Sequence, residues 1–155
     1  MELMQYNDRL GARVSKQMWE SFDQLLLQQQ LPSVFRRNIR SIIKHHRYFK
    51  ASECLVFMLY TSRLTKHLFP ANTPYFDHHM ILVNSLYELL QPELTMQQLD
   101  KVQLELTHYV TQFQEVYGDR YVTLNVHLLT YLVDCVKRHG PLWCYTAFLL
   151  RALTE

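Results

Sequence analysis

The sequence predicts an all-α chain of about six or seven helices, and three observations predict it. Hydrophobic residues make up 48% of the 155 positions and glycine occurs only three times, a composition that suits a packed helical core rather than a disordered tail. Apolar residues recur at three- and four-residue spacing through most of the chain. Proline and glycine fall between those periodic segments, where helices start and stop. At this length one domain is expected, with a frayed polar start over residues 1–12 and a single helical domain over 13–155.

Taken in order, Val14, Met18, Trp19, Phe22, Leu25 and Leu26 give a first helix from Arg13 to about Gln29. Leu31-Pro32-Ser33 breaks it. The run Cys54–Tyr60 would suit a strand, but Leu64 and Leu68 extend it at helical spacing, which favours a central helix buried on most sides. Pro70, Asn72 and Pro74 make the next turn, with Thr73 as a cap and Pro74 at the first helical position. Phe76, Met80, Val83, Tyr87 and Leu90 then mark another amphipathic helix. The clearest start is Thr95: Thr95-Met96-Gln97-Gln98 has capping-box form, with Leu94 and Leu99 at the staple positions. Leu99, Val102, Leu106, Val110, Phe113 and Tyr117 carry that stripe to Gly118. Strand evidence is confined to one short extended segment near 120–123.

Leu124, Leu128, Leu132 and Val136 recur every fourth residue, widened by Val126, Leu129 and Val133, which predicts a mostly buried helix. Gly140 supplies a left-handed position past its end, and Pro141 suits the first turn of the next helix. Asn125, His127, Tyr131 and Asp134 interrupt the apolar surface, and the last three share one face. They read as a hydrogen-bonded polar cluster in the core, or as an acid–base group or half a metal site. One His and one Asp lack the ligand count for a defined metal, and Tyr131 is a poor substitute ligand. Cys135 and Cys144 are expected in the core.

A net charge of +2 says little about partners, whereas its distribution says more. No acid occurs between Asp23 and Glu53, and Arg36, Arg37, Arg40, Lys44, Arg47 and Lys50 crowd that interval. On a helix, Arg36, Arg40, Lys44 and Arg47 step by four, four and three onto one face. Such a face is either merely solvated or makes phosphate contacts. The adjacent pairs His45-His46 and His78-His79 diverge too far to grip one ion, and Asp77-His78-His79 is expected at the surface. Three cysteines without a Cys-x-x-Cys pair suggest a reducing, intracellular setting. No phosphate loop, nucleophile elbow or zinc-protease motif occurs, so neither a cofactor nor a metal is expected. The absence of a signal-like start and of a long apolar run predicts neither secretion nor a membrane span.

Several motifs also carry a resemblance. Asn125-Val126-His127-Leu128-Leu129, Gly140-Pro141-Leu142-Trp143 and Thr146-Ala147-Phe148 resemble the C-terminal helical region of CACTA-type DNA transposases. Leu31-Pro32, Phe35, Arg37, Lys50-Ala51-Ser52-Glu53, Phe57-Met58-Leu59-Tyr60 and Tyr117-Gly118 extend the likeness over about residues 31–150. It implies a transposase-derived fragment or domesticated relic, nuclear rather than cytoplasmic. Asn125, His127, Tyr131, Asp134, Gly140, Pro141, Trp143 and Phe148 would be its structural motif positions. Two departures stand out: Tyr131 replaces a second His, and Arg151 stands where the family pattern Ser-Ala-Phe-x-Phe-Glu has its acid. Such transposases hold two metal ions with acids, two of them from a strand-rich core of which this chain shows no sign, so no catalysis is expected. The functional expectation is non-specific DNA-backbone binding through Arg36, Arg37, Arg40, Lys44 and Arg47. Its competitor is a protein-interaction bundle, homodimeric or joined to a transposase-like partner, with no nucleic-acid role.

Overall fold

The computed structural model describes residues 14–31, 39–69 and 73–144. Among them every regular element is helical and no strand occurs, as the periodicity predicts. They fall into two compact units that divide between Phe76 and Asp77.

In the first unit, Ser15 caps α1 (Lys16–Leu27), its side chain accepting from the Met18 N–H at 3.2 Å. This helix buries Phe22 and Leu26, and with them Asp23. Leu26 joins Ile39 and Val56 in a core, and Phe22 meets Phe57 edge-on with ring centroids 6.4 Å apart. Two short helices come next, α2 (Ile42–His45) and α3 (Ala51–Val56), the former running into a 3-10 turn at His46–Tyr48. Helix α3 continues through a π turn, Phe57–Thr61, into a 3-10 segment, Ser62–His67, against which α1 packs. The local cause of that loosening is side-chain competition: the Thr61 and Ser62 hydroxyls both donate to the Phe57 carbonyl, at 3.0 and 3.2 Å. The expectation of a segment buried on most sides is corrected accordingly. Cys54 and Tyr60 are exposed, and Thr61, Ser62 and Thr65 join Val56 and Leu68 on the buried side.

The start of α2 is settled by Asp23. Its Oδ2 accepts from the Ser41 hydroxyl at 2.6 Å, and its Oδ1 accepts from the Ile42 N–H at 2.7 Å and the Ile43 N–H at 3.4 Å. Ser41 in turn caps the helix by accepting from Lys44 N–H at 3.2 Å. Ser41 is non-helical (φ −50°, ψ 121°), so Arg40 lies off the helix that carries Lys44. The continuous basic face is therefore corrected: Arg40 and Lys44 do not stack on one helix, and Arg47 belongs to the 3-10 turn. Arg36 and Arg37 lie outside the described residues.

The second unit takes α4 from Asp77 onward (the helix spans Tyr75–Leu89), then α5 (Met96–Tyr117), α6 (Leu124–Leu128) and α7 (Leu132–His139). The capping box at Thr95 forms as expected, with Gln98 N–H on Thr95 Oγ1 at 3.2 Å and Thr95 N–H on Gln98 Oε1 at 2.9 Å. Gly118 (φ 94°) ends α5 and Gly140 (φ 86°) ends α7. The extended segment expected near 120–123 is instead opened by a 3-10 turn, Asp119–Tyr121, closed by Tyr121 N–H on the Gly118 carbonyl.

Helix α5 is the spine of this unit. Ser85 reaches Glu105, and Glu88 pairs with Lys101, so α4 runs antiparallel to it. Gln103 donates to the Thr130 carbonyl and Lys137 to Asp100, so α7 runs antiparallel on another side. Leu89, Leu99, Val102, Leu106, Val133, Val136 and Leu142 form the core between them. On α4 only Val83 of the predicted stripe is buried; His78, Ser85 and Leu89 are the other inward positions in this unit. That helix is apolar nearly all round, so periodicity alone does not select its inner face. On α5 the stripe holds through Leu106 and then steps to Tyr109 and Val116.

The predicted burial of residues 124–136 is also corrected. Val133 and Val136 are buried, but Leu124 is 71% exposed and Leu128 50%. A 3-10 turn, Leu129–Tyr131, separates α6 from α7. Three residues at the tighter 3-10 repeat rotate the face by roughly 60° relative to a continuous α-helix, so the four-residue leucine repeat does not stay on one side.

Replacing Asp23 by Ala removes the acceptor for one hydroxyl and two backbone donors. A loss of about 2–4 kcal/mol in urea unfolding is expected, against nearly none for the exposed Glu20→Ala. A shift below about 0.5 kcal/mol would refute the capping role.

Candidate functional site

The basic segment is organised by a second inward acid. Arg40 grips Glu53 at two points, Nε to Oε1 at 2.6 Å and Nη2 to Oε2 at 2.7 Å. The same Nη2 donates to the Tyr48 carbonyl at 2.8 Å, and the guanidinium lies 6.0 Å from the Phe49 ring centre. Glu53 Oε2 also accepts from the Lys50 N–H at 2.8 Å. Arg40 is thus committed to holding the 46–50 turn. Lys44, Arg47 and Lys50 are exposed, and so is Tyr48 at 75%. With Asp23 and Glu53 both buried, the stretch from Lys44 to Lys50 presents cations and no carboxylate of its own.

Charge is segregated between the two stretches of chain. Residues 1–76 hold eleven Lys and Arg against five Asp and Glu, a net of +6. Residues 77–146 hold four against eight, a net of −4. Only the first stretch is suited to a polyanion, which the sequence-wide sum of +2 conceals.

The polar group on the C-terminal helices does not lie in the core. Asn125, His127, Tyr131 and Asp134 are all exposed. His127 Nε2 and the Tyr131 hydroxyl approach to 3.5 Å, with the rings edge-to-face at 5.5 Å. Asp134 falls on α7, past the 3-10 turn, and makes no described bond to either. The 3-10 turn that leaves Leu124 and Leu128 outside leaves His127 and Tyr131 there too, and α7, turning Val133 and Val136 to the core, puts Asp134 outside. Cys135 and Cys144, expected inside, are exposed as well. Gly140 and Pro141 form the expected turn, Trp143 is 47% exposed, and Phe148 and Arg151 lie outside the described residues. Among the described residues no three His, Cys, Asp or Glu side chains converge as a metal site would require.

His78 is misplaced by sequence reasoning in the opposite sense. Expected at the surface, it is 3% exposed. Its ring stacks on Tyr109 at 4.2 Å and meets Tyr117 edge-on at 5.2 Å. Nε2 lies 3.0 Å from the Tyr109 carbonyl, which cannot donate, so this nitrogen carries the proton. Nδ1 is then bare and accepts from the Tyr117 hydroxyl at 3.3 Å. Burial lowers the His78 pKa, the Tyr109 carbonyl opposes that, and the positive form of His108 adds to it. A signal existed: Tyr109, Phe113 and Tyr117 recur at four-residue spacing on α5 and need a partner.

No protein-family model, no curated protein and no solved structure matches this chain.

A neutral, buried His78 makes stability depend on pH in a defined direction. Its folded pKa lies below the ordinary value of 6.5, so the unfolded chain takes up the proton first as pH falls. Stability is therefore fully present above about pH 6.5 and declines as pH drops through the window below it. The groups around it are Asp77 and His79 on α4 and His108, Tyr109 and Tyr117 on α5; His79 is lowered too, chiefly by burial. Urea midpoints should fall from about pH 8 to about pH 5, and His78→Phe should flatten that fall, leaving the part due to His79. An unchanged slope would refute the assignment.

Proposed function

We propose that this is a non-catalytic helical protein that holds nucleic-acid backbone against the exposed cations Lys44, Arg47 and Lys50. Its C-terminal motifs support a transposase-derived origin and, with it, a nuclear setting. The observation that carries the reading is the inward turning of Asp23 and Glu53, which withdraws from that surface the nearest anions in sequence that would repel phosphate. Arg40 acts here as the brace of the turn rather than as a phosphate contact, and Arg36 and Arg37 extend the cationic run in sequence. The reading assigns no chemistry, since His127 and Tyr131 have no acid in hydrogen-bond reach among the described contacts and Arg151 replaces the family's acid.

Fluorescence anisotropy with duplex DNA over a salt series tests it. Binding should tolerate any sequence and weaken steeply with salt. Lys44→Gln, Arg47→Gln and Lys50→Gln together should lower the log–log slope by about three, at roughly 0.9 per phosphate contact. The DNA should remain uncut in Mg²⁺. Binding indifferent to salt or to the triple substitution would sink the reading.

A second reading, association through helices, is favoured by one observation. Leu124, Leu128 and Tyr131, spaced by four and three, are 71%, 50% and 51% exposed. Light scattering across a concentration series should then show self-association that Leu124→Ser with Leu128→Ser abolishes. A wild-type chain that stays monomeric throughout would dismiss the homodimer.

A further inference from the structure

We infer that Tyr48 is a base-stacking platform, so that the cationic surface takes single-stranded nucleic acid in preference to duplex. This rests on the phosphate-binding reading and adds the class of ligand to it. Two aromatics sit side by side with opposite fates. Phe49 packs against the Leu26, Ile39 and Val56 cluster, while Tyr48 is 75% exposed, more than any other large apolar side chain described.

A lone exposed aromatic is ordinary; this one sits on a braced turn. The Tyr48 carbonyl is held by Arg40, and Arg40 is itself fastened to Glu53 at two points. Phe49 N–H closes the turn on the His46 carbonyl at 3.3 Å, and His46 Nδ1 lies 3.0 Å from the Ile42 carbonyl. The backbone beneath the ring is thus ordered before any ligand arrives, which lowers the entropy cost of stacking. Lys44, Arg47 and Lys50 lie within four residues of it and are exposed.

Cations beside a presented aromatic face are the pattern of single-strand recognition, in which phosphates meet the charges and a base lies on the ring. A duplex supplies the phosphates but keeps its base faces stacked on one another. Only a strand with free base faces can use both features at once.

Anisotropy with three labelled probes tests this: a short oligothymidylate, an abasic strand of the same length, and a duplex. The base-bearing strand should bind about tenfold more tightly than the abasic one. Tyr48→Ala should bring its affinity down to the abasic level with the salt slope unchanged, and Tyr48→Phe should keep the preference. Circular dichroism of Tyr48→Ala should match the wild type. Equal binding of base-bearing and abasic strands, or a Tyr48→Ala loss common to all three probes, overturns the inference while salt-dependent duplex binding leaves the phosphate reading standing. If no probe binds at low salt, both fall.

Discussion

Asp23 and its three hydrogen bonds determine how the basic part of this chain is presented. A buried carboxylate is costly unless donors surround it, and here one hydroxyl and two backbone N–H groups do so. Those donors are the start of α2, so satisfying Asp23 and beginning that helix are the same event. Glu53 repeats the arrangement from the other side by taking Arg40 and the Lys50 N–H. Between them the two acids set Arg40 apart from Lys44 and divide residues 41–50 into a short helix and a pinned turn. They also withdraw the local negative charge from the surface.

The second unit rests on a different kind of constraint. Helix α5, 22 residues long, offers neighbours on more than one side, and a few polar contacts set their register. Lys101 lies 2.6 Å from Glu88 and 3.6 Å from Glu105, an exposed arrangement that orients more than it stabilises. His78, buried among Tyr109, Phe113 and Tyr117, secures the other end of the α4–α5 pair through both ring nitrogens. Apolar burial supplies most of the stabilisation, while these contacts choose one alignment among several that a leucine-rich helix would accept.

The opposite charges of the two stretches give the functional reading its shape. The exposed cations Lys44, Arg47 and Lys50 belong to the first unit, and the exposed apolar stripe Leu124, Leu128 and Tyr131 belongs to the second. The candidate cations were largely legible in sequence as an acid-free interval. The role of Arg40 was not, because its partner Glu53 lies thirteen residues away and pairing by side chain leaves no periodic trace.

The sequence by itself determined the helical class and the helix ends built from neighbours: the Thr95–Gln98 box and the stops at Gly118 and Gly140. Each depends on groups within about four residues, so spacing encodes it directly. Tertiary structure alone decided which face of α4 turns inward, why Leu124 and Leu128 stay outside, and where Asp23, Arg40 and His78 find their partners. Those partners lie 8 to 39 residues away. Burial belongs to a pair of surfaces, and a single helix's pattern names only the surfaces that are available to be paired.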